Sequence, residues 1–148
     1  KLTWLIKGEI MKTKGLQFAV RILGLVQLAL GILFWNADNS PLVILHILLG
    51  TLLTIALLVL VIRGFRKGLS KPLMALALLW TIGLPLYGLI QDDLLVGSFH
   101  WVAQVLHLLC GLGAVAIGEL ISARLINKEK DVYQFISTLD ILMGKNIS

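Results

Sequence analysis

Lysine and arginine are missing from two long windows of the chain, residues 22–62 and 72–123. A soluble domain places charge at every turn of its surface, so windows of this length confine the chain to a membrane. Four apolar stretches lie inside or beside them, at 16–35, 42–62, 72–90 and 99–123. Each holds roughly 20 residues, enough at about 1.5 Å per residue to cross a hydrocarbon core of about 30 Å. Backbone groups in lipid must pair with one another, so these spans are expected as helices. Composition agrees: 58% of the 148 residues are hydrophobic and only 14% charged, with mean hydropathy +0.94. About a quarter charged is usual for a soluble domain. A soluble enzyme, a nucleic-acid-binding domain and a disordered tail are therefore set aside. The net charge of +5 is a matter of sidedness instead.

The connectors carry turn and cap chemistry. Asn36–Pro41 is a turn in which Ser40 suits an N-cap and Pro41 the first helical position. Arg63–Gly68 is a basic loop, Pro72 opens the third span, Gln91-Asp92-Asp93 opens the last connector, and Ser98 suits the cap of the fourth. All 13 basic residues fall before residue 22, between 63 and 71, or after 123. The other two loops hold only Asp38, Asp92 and Asp93. The positive-inside bias then places both termini and the middle loop in the cytoplasm, with the basic residues near anionic lipid. The first span is too long for a signal-peptide core, and Phe34-Trp35-Asn36 is a poor cleavage site. Met11 is a more natural start than Lys1, which makes residues 1–10 a candidate extension.

These readings give an all-α, membrane-embedded four-helix bundle. Residues 1–15 form a cytoplasmic N-terminal segment, 16–124 the four-span domain, and 125–148 a cytoplasmic tail. In the tail, Asn127–Asp131 is expected as a polar linker. Val132, Phe135, Ile136, Leu139, Leu142 and Met143 then recur at helical spacing, as in an amphipathic helix lying on the membrane surface or on a partner subunit. Cys110 is the single cysteine, so no intrachain disulfide, CxxC pair or cysteine zinc cluster exists.

Spans two and four share a pattern. Leu45-His46 is followed by Gly50 and Arg63, and Leu106-His107 by Gly111 and Arg124. In both, glycine comes four residues and arginine seventeen residues after histidine. Both spans run outside to inside, so His46 and His107 are expected at one depth near the outer face. The chain thus reads as two pseudo-repeated helical hairpins. Intramembrane ionisable residues generally face the bundle interior and mark function. Two imidazoles from facing helices suit the two axial positions of one haem iron, and a glycine one turn away leaves room for a macrocycle. A chlorophyll-like pigment is a further tetrapyrrole to consider. The alternative makes the histidines interfacial and the glycines packing residues.

On span four, His100, Gln104, His107, Gly111, Ala114, Gly118 and Ser122 lie three or four positions apart and form one stripe. Span one offers Gly24, Gln27, Gly31 and Trp35. Gln27 suits a cofactor edge, a quinone carbonyl or a neighbouring backbone. His100 suits a haem propionate, a proton relay, the ligand role in place of His107, or an interfacial anchor. Glu119, five residues before Arg124, suits proton uptake or an interfacial ion pair with an arginine.

In architecture, residues 16–124 resemble the small four-helix membrane b-type cytochromes: cytochrome b561-like proteins, superoxide-oxidising quinone reductases and haem-carrying anchors of respiratory complexes. The resemblance rests on His46, His107, their following glycines and the helix count. It implies one haem b per chain, since two-haem members need four placed histidines and this chain has three. It also implies electron exchange with quinone, superoxide or a partner redox protein, in a bacterial inner membrane, as a homo-oligomer or within a larger complex. A non-catalytic structural or pigment-binding subunit of a respiratory or photosynthetic complex is the other reading. A transporter is disfavoured, because no pair of broken helices is evident.

Overall fold

The computed structural model describes residues 2–34 and 42–144. Within them the chain is all-helical: α1 (Leu2–Phe34), α2 (Leu42–Arg66), α3 (Lys71–Ile90) and α4 (His100–Leu142), with one 3-10 turn at Gln91–Asp93. All four helices are long and apolar enough to span a membrane. The 36–41 turn, its cap Ser40 and Trp35 lie outside the described residues.

The ends of the elements follow local chemistry. Ser70 precedes α3 and Pro72 occupies its first turn, where proline's missing N–H costs nothing. Gly68, at φ 68°, turns the chain between α2 and α3 in a backbone conformation that suits glycine. Ser98 does not cap α4. That helix starts one residue later than the cap signal implies, after Phe99 and with no side-chain cap bond.

Two helices are much longer than a bilayer. α1 has 33 residues and α4 has 43, so at about 1.5 Å per residue they measure roughly 50 and 65 Å. The expected linker at Asn127–Asp131 is helical, and the tail is the continuation of α4 rather than a separate surface helix. The reason is visible in the sequence between residues 119 and 143, which has neither glycine nor proline. Glu129, in the middle of the polar run, is buried against α1 and α2. Residues 2–15 likewise prolong α1 without a break, and the two prolongations pack together as an antiparallel stalk.

The bundle is closed by α1 against α2 and α4, and by α3 against α2 and α4. Across the diagonals the helices differ: α2 touches α4, while α1 and α3 do not meet. One end of the bundle gathers the start of α1, the end of α2, the start of α3 and the end of α4, and carries the basic residues. The opposite end carries the histidines.

The tightly packed core lies toward the basic end. Val20, Leu53, Leu57, Leu60, Val61, Met74, Ala77, Ala114, Ile121 and Leu125 form one buried cluster. Gly118 lets α4 approach α1 and α2, because a Cβ there would sit 2.9 Å from both Val20 and Leu57 side chains. Filling that space would require the Val20 and Leu57 side chains to move, the usual reason for small residues between membrane helices. Toward the histidine end, the buried side chains among the described residues thin to a few, such as Leu30, Thr81 and Ala103.

Candidate functional site

The short diagonal between α2 and α4 brings His46 and His107 together. Their ring centroids are 6.3 Å apart with planes inclined at 48°. Each ring is braced by an aromatic neighbour. Phe34 meets His46 edge-on at 5.5 Å, and Tyr87 of α3 stacks on His107 at 5.8 Å with planes 16° apart. The Tyr87 hydroxyl donates to the Ala103 carbonyl at 3.0 Å, one turn before His107 on α4. This bond fixes the tyrosine ring relative to the helix that carries the imidazole. Neither Phe34 nor Tyr87 stands out in the sequence, because an aromatic residue within an apolar run carries no spacing signal of its own.

Gln27 connects α1 to the same region. Its Nε2 donates to the His46 carbonyl at 2.7 Å. The amide reaches that carbonyl through the space beside Gly50, where a Cβ would stand 2.5 Å from Gln27 Nε2. The Gly50 gap is therefore occupied by the glutamine. At Gly31 and Gly111, by contrast, an added Cβ would meet nothing within 4 Å. Gln104 and His107 are both half-buried on the same stripe of α4, and Ala114, Gly118 and Ser122 below them are buried.

Three polar atoms here are buried without a hydrogen-bond partner: Gln27 Oε1, His46 Nδ1 and His107 Nδ1. Buried donors and acceptors are paired in the great majority of cases, and each orphan costs roughly 1–3 kcal/mol. Ser122 Oγ is a fourth such atom within the membrane-spanning part, deeper along α4. His100 stands apart from this group. It is the first residue of α4, and its Nδ1 lies 3.2 Å from the Leu94 carbonyl in the connector. His107 lies about 10 Å further along the helix axis. Among the described residues no cluster of three or more His, Cys, Asp or Glu gathers as a metal site.

The basic end is assembled differently. Arg63 Nη2 lies 3.0 Å from Glu9 Oε2 and donates to Thr13 Oγ1 at 2.9 Å and Glu129 Oε1 at 3.3 Å. Thr13 is fully buried, and its hydroxyl is within 3.2 Å of Glu129 Oε2. Lys67 adds a second cation 4.0 Å from Glu129, and Lys128 donates to the Lys67 carbonyl. One arginine thus ties α1, α2 and α4 together. Higher up, Glu119 pairs with Arg21 of α1 at 2.6 and 2.7 Å and accepts from Gln17 at 2.8 Å. Its arginine is Arg21 across the helix interface rather than Arg124, which points outward. The repeat in sequence is accordingly not a repeat in contacts here, since Arg63 is engaged and Arg124 is exposed.

Cys110 is half-buried, and its carbonyl accepts from Trp80 Nε1 at 2.8 Å, an α3–α4 tie that Gly113 accommodates. Comparison with protein-family models, curated proteins and solved structures gives no match.

Proposed function

We propose that the chain is an integral-membrane b-type cytochrome that holds one haem b between His46 and His107 and passes electrons between quinone and a partner redox protein. The observation that carries this reading is the His46–His107 pair itself, 6.3 Å between centroids. His46 and His107, facing each other from α2 and α4, would be the residues that hold such a group. The buried, unpartnered ring nitrogens and the open space at Gly31 and Gly111 also support a bound group in this half of the bundle. When bound, the haem would supply a one-electron carrier without an open coordination position. The chain's own residues would hold and orient: Tyr87 and Phe34 brace the imidazoles, and Gln27 steadies the α2 backbone at His46 and offers its free Oε1 to a cofactor edge or a quinone carbonyl. Gly50 serves by admitting that glutamine. His100, bonded to the connector, is the reserve for His107.

In this reading the basic end faces the cytoplasm of a bacterial plasma membrane and the two hairpins are related by a pseudo-twofold. What supports the exchange of α1 with α3 and α2 with α4 is that α1 and α3 each pack against both α2 and α4, although α1 packs on α4 more extensively than α3 on α2. Electrons enter or leave at the histidine end. Asp92 and Asp93 there favour a basic donor or a quinone over superoxide, an anion.

A second reading, a structural or pigment-binding subunit of a larger complex, draws on the stalk. Trp4 is 81% exposed and Leu142 76%, far from the apolar spans. Apolar side chains so placed suit a neighbouring subunit.

A reduced-minus-oxidised absorbance spectrum of the purified chain tests the proposal. His46→Ala and His107→Ala are each expected to abolish a low-spin haem spectrum, and His100→Ala to retain it. Full haem retention in His107→Ala overturns the assignment. A cofactor-free, redox-silent wild-type chain favours the subunit reading.

A further inference from the structure

A cleft of about 250 Å³ opens between the two helices of the stalk, lined by Lys7, Ile10, Met11 and Lys14 of α1 and Tyr133 of α4. Its two lysines stand outside the ion-pair network beside it. Lys12, Arg63 and Lys67 share Glu9 and Glu129, and Arg21 holds Glu119. Lys7 and Lys14 have no acidic partner among the described residues, and both are exposed. They are two helical turns apart, about 10 Å along α1, so their ammonium groups reach the cleft from its two ends. The half-buried Tyr133 provides a hydroxyl from the facing helix.

Below the cleft one face of α1 changes from basic to apolar, flanked by the exposed Arg21 that pairs with Glu119. Met11, Phe18, Ile22 and Leu25 are all strongly exposed. With Gly15 they step down α1 at intervals of three or four residues, on one face of the helix. A Cβ at Gly15 would meet nothing within 4 Å, so this face is grooved one residue below Lys14. Lys14 stands two residues before the apolar run that begins at Leu16. A phosphate held by Lys7, Lys14 and Tyr133 would thus sit directly above a track suited to an acyl chain.

We infer that this cleft is a specific site for an anionic phospholipid, with its phosphate between Lys7 and Lys14 and an acyl chain along the Gly15 groove. The charge recognises any phosphate; the continuous apolar track beneath it selects a lipid over a soluble anion. The site is at the opposite end of the bundle from the histidines and is independent of whether a haem binds there.

Native mass spectrometry of the full chain, extracted from mixed phosphatidylglycerol and phosphatidylcholine, tests it. The wild type is expected to retain one phosphatidylglycerol. The double variant Lys7→Gln/Lys14→Gln is expected to weaken that retention roughly a hundredfold, from the loss of two charge-assisted hydrogen bonds to the phosphate. Arg66→Gln/Lys71→Gln changes the same net charge at the α2–α3 connector, away from the cleft lining, and is expected to leave retention intact. Equal loss in both double variants overturns the inference, because it reduces the effect to diffuse attraction. Gly15→Leu, which fills the groove and keeps both lysines, is expected to lower phosphatidylglycerol retention as well. Undiminished retention in Gly15→Leu, or displacement of the lipid by an equal concentration of glycerol phosphate, overturns the lipid assignment.

Discussion

The two ends of the bundle treat buried polarity differently. At the basic end, Glu129 and Thr13 are sealed from solvent, and each has a partner: Arg63 Nη2 satisfies both, with Glu9 and Lys67 completing the group, and only the Arg63 Nε of this network is buried without one among the described residues. At the histidine end, Gln27 Oε1 and the Nδ1 atoms of His46 and His107 are buried with none. The hydrophobic core is dense on the first side and sparse on the second. Closed polar networks hold helices in register. Open ones are costly in a structure that has no use for them, which is why the histidine end, and not the more charged end, is the place to look for chemistry.

The comparison is most exposed to failure at Glu129. Glu129→Ala leaves Arg63 with one carboxylate instead of two and opens a hole beside Thr13. A loss of about 3 kcal/mol is expected, at the low end for breaking a buried pair because Glu9 remains. Reversible unfolding in mixed micelles measures it. A loss below about 1 kcal/mol would mean that the basic end is not the stabilising one. A smaller effect is expected at Gly50→Ala. The new methyl displaces Gln27 from the His46 carbonyl, at a cost of about 1 kcal/mol for the lost hydrogen bond. If haem binds, the same variant shifts its spectrum. The smallest effect, and of opposite sign, is expected at His46→Leu in the cofactor-free chain. Removing an orphaned ring nitrogen is neutral or stabilising by up to about 1 kcal/mol. A clear destabilisation there would show that the imidazole has a structural partner and would erase the contrast between the ends.

The sequence made some of this legible and hid the rest. The four helices follow from apolar length alone, since a 20-residue apolar run in lipid has one backbone solution. The meeting of His46 and His107 was legible in their matched distances to Gly50, Gly111, Arg63 and Arg124. The glycines' separate roles were not. Gly50 gives way to a side chain from α1, a contact across two helices that spacing within α2 and α4 does not encode. The Asn127–Asp131 run misled because five polar residues in a row look like a linker. Its periodicity tells otherwise: Gly118, Ser122, Leu125 and Glu129, all buried, continue one stripe past the last apolar span. Glu119 showed the need for an arginine but not which one, because Arg21 lies on a helix nearly a hundred residues away in sequence.

The rhombic arrangement of helices also sets an order of events during synthesis. Chains are made from the N-terminus, and local helical pairs close before distant ones. The α1–α2 hairpin completes first and already contains Glu9 for Arg63. Arg21 and Gln17 have to wait, because Glu119 belongs to the last helix, as does Glu129, the second acid on Arg63. Since α1 never meets α3, the third helix brings neither of them relief. A nascent chain that stalls before α4 therefore displays an unneutralised Arg21 on its first helix, and only a chain that has placed α4 pairs it with Glu119.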